Sequence, residues 1–254
     1  VRAYSDYSLV GGGYLNYGYG AYSTISGGYY QSAYGYGGVI GGGSYQKNYG
    51  KYGTISGGHN NYNIGYASTV TGGMYNSAYY ADYATLMSGY SNCAAGDAST
   101  IVTGYDNYAA GYGSTIGGGQ YNGVYDDYAT VGGGYYNRAY GESSTITGGD
   151  SNSVYGVAGV IGGGDSNTCI GDYAAILGGL SGQTYADYAT ISGGTGVLAY
   201  GYQSTVAGGS ANDASGSYSA ISGGLSNTVA DSWGSIHGGS ANSVAGTAAT
   251  VGAG

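Results

Sequence analysis

Apolar and polar positions repeat along this chain with a period of fifteen. A branched aliphatic residue is followed by one variable residue and then, in most copies, by two glycines. These anchors are Val10, Ile25, Ile40, Ile55, Val70, Leu86, Ile101, Ile116, Val131, Ile146, Ile161, Ile176, Ile191, Val206, Ile221, Ile236 and Val251. Of the sixteen steps between them fifteen are 15 residues long, and the step from Val70 to Leu86 is 16. Self-similarity this strict defines a repeat architecture. Alternation around each anchor predicts a strand. In Tyr22-Ser-Thr-Ile-Ser26, Ser23 and Ile25 face inward while Tyr22, Thr24 and Ser26 face outward. Two residues before every anchor stands Ser, Ala or Gly, which predicts an interior too narrow for a second large side chain. A second short strand is predicted about seven residues before each anchor, with Ala33, Ala139, Val154, Ala199, Ala214, Val229 and Val244 at its inward site. The Gly-Gly pair turns the chain, because glycine enters φ > 0 without steric penalty. Two strands and two turns make one flattened coil. Parallel stacking at about 4.8 Å per coil then predicts an all-β fold, a parallel β-solenoid (β-roll) of about seventeen 15-residue coils and roughly 80 Å long. Residues 1–254 read as a single repeat array.

Composition narrows the function classes. The chain has 59 Gly, 36 Tyr, no Pro and no Phe, with 7% charged residues and a net charge of −9. Its acidic balance, with Arg2, Lys47, Lys51 and Arg138 as the basic residues, argues against a nucleic-acid partner. No apolar run approaches the ~18 residues of a membrane span. Both ends fall within the repeat pattern, so the chain reads as a segment of something longer or as a filament subunit. A chain built from copies offers no unique catalytic residues, so no enzyme and no cofactor is expected. The predicted core is thin. One Ile or Val and one Ala or Val per coil contribute ~3 kcal/mol, less than ordering fifteen residues costs. Further burial through self-association, as a homotrimer or a filament, is therefore expected.

Several columns run through the repeat. Asn stands six residues after the anchor at Asn16, Asn61, Asn76, Asn92, Asn107, Asn122, Asn137, Asn152, Asn167, Asn212, Asn227 and Asn242, a spacing that suits an internal amide ladder. None begins an N-glycosylation sequon. Tyr stands six before the anchor at Tyr34, Tyr49, Tyr125, Tyr140 and others, and three before it at Tyr7, Tyr22, Tyr52, Tyr83, Tyr128, Tyr173, Tyr188 and Tyr218, with Trp233 in the same column. Both columns are expected to point outward as interaction surface, for self-association or for a host surface protein or glycan. Thr precedes many anchors, giving T-x-S/T pairs such as Thr54/Ser56 and Thr69/Thr71. That pattern suits ordered water on an ice-binding face as well as simple strand formation. Asp6, Asp82, Asp97, Asp127, Glu142, Asp172 and Asp187 stand four before the anchor, as exposed turns or as a cation row. Cys93 and Cys169 are five coils apart, beyond disulfide reach. With His59 and His237 they form no metal-ligand spacing.

Copies such as Asn137-Arg-Ala-Tyr-Gly-Glu-Ser-Ser-Thr-Ile-Thr-Gly-Gly149 and Asn212-Asp-Ala-Ser-Gly-Ser-Tyr-Ser-Ala-Ile-Ser-Gly-Gly224 resemble the head repeats of trimeric autotransporter adhesins, and similar repeats occur in phage tail fibres. The resemblance covers essentially the whole chain. It implies a left-handed β-roll, three chains side by side, displayed outside a cell or virion for attachment. The heavy Tyr load and the lack of a neck, stalk or anchor in this stretch depart from that family. An ice-binding solenoid with a flat Thr/Ser/Tyr face is the alternative.

Overall fold

The computed structural model describes every residue, 1–254, and is an all-β parallel β-solenoid of seventeen coils without helix. It divides into two compact units, 1–128 and 129–254. No helix is long and apolar enough to cross a membrane.

Each coil carries two strands of two residues, such as Ser32–Ala33 and Val39–Ile40 in the first unit, or Thr168–Cys169 and Ala175–Ile176 in the second. Like pairs with like in parallel: Ile40 with Ile55, Ile146 with Ile161, Ala199 with Ala214. A third ladder, absent from the two-strand expectation, runs four residues after the anchor, through Tyr14, Tyr29 and Ser44 in the first unit and Asp150, Asp165 and Leu180 in the second.

The strands are shorter than alternation predicts because the chain turns more often. Left-handed backbone occurs at three places per coil, for example Gly43 (φ 94°), Tyr45 (φ 58°) and Tyr52 (φ 58°). Tyr22, expected within a strand, has φ 58° and ends the extended run. This region strains bulky and β-branched residues alike, and the second branch at Cβ leaves Val, Ile and Thr the less adaptable at χ1. Accordingly no Val, Ile or Thr stands three before or five after any anchor. Of the Gly-Gly pair only the second member is constrained. A Cβ on Gly27 meets open space, while one on Gly28 (φ 115°) would lie 2.5 Å from Gly43 O.

The interior is filled by four residues per coil, the fourth being the small one two before the anchor, such as Ser23, Ser99 or Ala129. The anchors, such as Ile25, Ile101 and Ile191, are fully buried, as are the small residues seven before them and the Asn six after them. Space is shared within each coil. Where the site seven before the anchor holds Val, the site two before it holds Ala or Gly: Val124/Ala129, Val154/Gly159, Val229/Gly234, Val244/Ala249. Where it holds Ala, the partner is usually Ser, as in Ala94/Ser99, Ala109/Ser114 and Ala139/Ser144. Interiors pack to crystal-like density, so one methyl too many is felt. Two coils depart from the apolar expectation by burying an amide. Asn48 Nδ2 donates to Gly53 O (2.6 Å) and Val39 O (3.1 Å). Asn63 Nδ2 donates to Ser68 O (2.9 Å), and Ser68 Oγ donates to Asn63 Oδ1. The 16-residue coil keeps its register, with Thr69 opposite Thr85 and Val70 opposite Leu86. Its extra residue is absorbed at the corner Tyr79-Tyr80, where Tyr80 turns left-handed (φ 53°).

Candidate functional site

Backbone hydrogen bonds along the three ladders tie each coil to the next, so side chains at one repeat position emerge one above another. Tyr34 follows the strand Ser32–Ala33, and its N–H donates to Asn48 O (2.7 Å). Tyr4, Tyr19, Tyr34 and Tyr49 are held in the same way and stack face on, with centroids 4.9, 4.7 and 4.3 Å apart and planes within 5°. The second unit repeats this at Tyr140–Tyr155 (4.8 Å, 11°) and Tyr185–Tyr200 (4.3 Å, 17°). Tyr125, at the same corner, instead leans against Tyr108 (5.9 Å). A face-on stack covers the ring faces and leaves edges and hydroxyls outside.

The column three before the anchor sits on the left-handed corner and is built differently. Tyr7 and Tyr22 stack at 4.9 Å, but Tyr22 and Tyr52 are joined only through Tyr36, which comes from the neighbouring position in a coil whose own column site is Gly37. Edge-to-face contacts continue through Tyr66 to Tyr83, and Tyr112 meets Tyr128 (5.4 Å). In the second unit Tyr173, Tyr188, Tyr202, Tyr218 and Trp233 form one file, ending in a 4.2 Å stack. The rings of Tyr7, Tyr83, Tyr128, Tyr173 and Trp233 are more than half exposed. Lys51 Nζ lies 5.4 Å from the Tyr52 ring and 5.8 Å from that of Tyr36.

A third aromatic file, four and five residues after the anchor, was not legible as a surface. It runs through Tyr14, Tyr29, Tyr30, Tyr45, His59, Tyr75, Tyr90, Tyr105 and Tyr121. His59 Nδ1 is 2.7 Å from Ser44 Oγ. The signal for this file lay in the residues just after each Gly-Gly turn, which have no place in the two-strand expectation and which the third ladder brings into register.

The Asn column is internal and unavailable to ligands. Asn152 Nδ2 donates to Asn137 Oδ1 (3.1 Å), Gly148 O (3.2 Å) and Gly164 O (3.0 Å), and its Oδ1 accepts the Asn167 N–H (3.0 Å). In the first unit Asn107 Nδ2 donates to Asn92 Oδ1 (3.0 Å) and Gly119 O (3.0 Å), while Asn122 N–H donates to Asn107 Oδ1 (2.9 Å). Gln31 and Gln46 take the position in two coils, and neither side-chain nitrogen finds a partner.

The acidic column has a backbone role that spacing alone did not reveal. Asp82 Oδ1 accepts the Tyr66 N–H, Asp97 Oδ1 that of Asp82, and Asp127 Oδ1 that of Tyr112, each at 2.8 Å. Asp172 and Asp187 do the same for Val157 and Asp172. No group of three or more His, Cys, Asp or Glu is placed to hold a metal ion. Cys93 and Cys169 are free thiols, both pushed up from the ordinary thiol range by burial. On the outer strand face Thr54, Thr69, Thr85, Thr100 and Thr115 pair one after another in the first unit.

The surface opens no cavity. The surface is repetitive: phenol edges on one corner, tilted phenol faces on two others, and a row of threonines along one strand ladder. Compared with protein-family models and with curated proteins, the chain matches none.

Proposed function

We propose that this solenoid is a non-enzymatic, extracellular structural element of a fibre or adhesin head, which self-associates through its Tyr columns and serves surface attachment. The observation that carries this reading is the ordered, exposed aromatic surface. Soluble monomers rarely leave large contiguous apolar patches uncovered, and here Tyr7, Tyr22, Tyr52, Tyr83 and Tyr128 all stand exposed along one corner of the first unit. That corner is the better seam than the face-on stack, because its rings have more surface left to bury. Tyr also suits contact with proteins and glycans, joining an apolar ring to a hydroxyl.

Light scattering and electron microscopy of the native protein test the reading. Rods with the mass of three chains support an adhesin-like head, and continuous filaments support a fibre subunit. Replacing Tyr52 and Tyr83 together by Ser should lower the mass towards the 25.1 kDa of one chain. A native protein that is already monomeric at that mass would overturn the proposal. The unbroken row Thr54–Thr69–Thr85–Thr100–Thr115 favours a second reading, an ice-binding face, which predicts thermal hysteresis from the monomer that is lost on replacing Thr85 by a bulky residue.

A further inference from the structure

The face-on stack suggests a covalent chemistry that self-association does not require. Tyr34 and Tyr49 lie with centroids 4.3 Å apart and planes 5° from parallel, and Tyr185 and Tyr200 repeat the arrangement at 4.3 Å and 17°. Each pair bridges successive coils, in positions fixed by backbone bonds such as Tyr34 N–H to Asn48 O and Tyr185 N–H to Ala199 O. We infer that Tyr34–Tyr49 and Tyr185–Tyr200 are sites of oxidative dityrosine formation, each link stapling one coil to the next.

The chemistry balances with a peroxide and a haem peroxidase as the oxidising partner. Each phenol gives up one electron and one proton, leaving two phenoxyl radicals that carry spin on the carbons ortho to oxygen. Those carbons join in a new C–C bond, and the ring hydrogens at the two carbons return to the oxygens as the rings regain aromaticity. The two hydrogen atoms removed overall reduce one H2O2 to two H2O. Proximity turns the coupling into an intramolecular step, and well-held neighbours react at effective concentrations far above any protein solution. Burial first, and then the adjoining phenol, push Tyr49 and Tyr200 above the ordinary tyrosine range, so both rings enter the reaction as neutral phenols. The outer ring edges remain open. Tyr34 and Tyr49 are 38% and 39% exposed, and Tyr185 and Tyr200 are each 40% exposed, which leaves the coupled rings room to swing out of the stack.

Stacking and exposure predict different products. Exposure alone favours Tyr7 (79%), Tyr80 (69%) and Tyr83 (62%), and links between chains. The test treats dilute native protein with peroxidase and H2O2, measures dityrosine fluorescence, and maps the linked peptides by mass spectrometry. The expected result is Tyr34 joined to Tyr49 and Tyr185 to Tyr200, with the chain mass lower by two hydrogens per link and a yield independent of protein concentration. Tyr49→Phe keeps a ring in the stack but forms no phenoxyl, so it should abolish the first link and spare the second. The stapled protein should also unfold at a higher temperature than the untreated one. Links confined to the most exposed tyrosines, a yield that rises with protein concentration, or an unchanged unfolding temperature would overturn the inference.

Discussion

Val154 and Gly159 share one space in their coil: a methyl group on Gly159 would lie 2.7 Å from Val154 Cγ1, 3.0 Å from Gly156 O and 3.2 Å from Cys169 Sγ. Gly159→Ala should therefore lower stability by ~1–3 kcal/mol through overpacking. Adding Val154→Ala should recover much of that loss, since Ala78 with Ala84 already fills the corresponding sites of the sixth coil. A double-mutant cycle in urea checks this. Neighbours that share a cavity couple by ~0.5–3 kcal/mol, and strictly additive effects would refute the pairing.

Buried hydroxyls divide into bonded and unbonded ones. Ser114 Oγ has no partner, whereas Ser68 Oγ has two acceptors, Gly65 O (2.9 Å) and Asn63 Oδ1, within reach of its one proton. Ser114→Ala is expected to be neutral or to stabilise by up to ~1 kcal/mol, while Ser68→Ala should cost ~1–3 kcal/mol by leaving a buried acceptor bare. Urea unfolding of the two variants side by side gives the contrast, and equal effects would contradict it.

The amide ladder predicts the largest losses. Asn152→Ala removes an acceptor for the Asn167 N–H and a donor to two glycine carbonyls. At ~1–3 kcal/mol for each buried group left unpaired, it should cost several kcal/mol. It should also speed hydrogen exchange at Asn167. Gln46→Asn points the other way. It replaces an unpartnered Nε2 by the shorter amide used in the neighbouring coils, and the unfolding midpoint should rise.

Stability should fall in alkali earlier than for a chain with ordinary tyrosines. Tyr19, Tyr29, Tyr30, Tyr49, Tyr62, Tyr108 and Tyr200 are all raised, with burial the first cause in each. A raised folded value means that the folded state holds its proton more tightly. The contribution is complete below the unfolded tyrosine value of about 10 and is lost as pH rises through the folded values. Unfolding temperature measured from neutral pH upward should stay level and then drop above about pH 10. A level profile through that region would refute this.

Much of the fold was legible because the period of fifteen fixes which residues stack. Anchors such as Ile25 and Ile101 and inward residues such as Ala33 and Val154 follow from alternation and small-residue spacing. The turns were harder to read. Tyr22 and Tyr45 adopt backbone that sequence patterns assign to glycine, and the clue was negative, the missing β-branched residues at their columns. The acidic column reads from the sequence as exposed turns or a cation row, because a carboxylate that caps a backbone N–H fifteen residues away, as Asp97 does for Asp82, leaves no local mark. The outward Tyr columns were visible as spacing, but their packing depended on neighbours. The same residue type stacks face on at Tyr34–Tyr49 and edge on at Tyr36–Tyr52, because one column is continuous there and the other is broken by Gly37.

The corner at Tyr79-Tyr80 takes up a whole extra residue while Thr69 still meets Thr85. Length there is decoupled from register, and the cost of lengthening a surface loop grows only slowly. That corner is thus a natural port for grafting. An epitope, a tag or a reactive peptide could be spliced between Tyr79 and Tyr80 and displayed at a fixed height on the scaffold, with the coils on either side left in step.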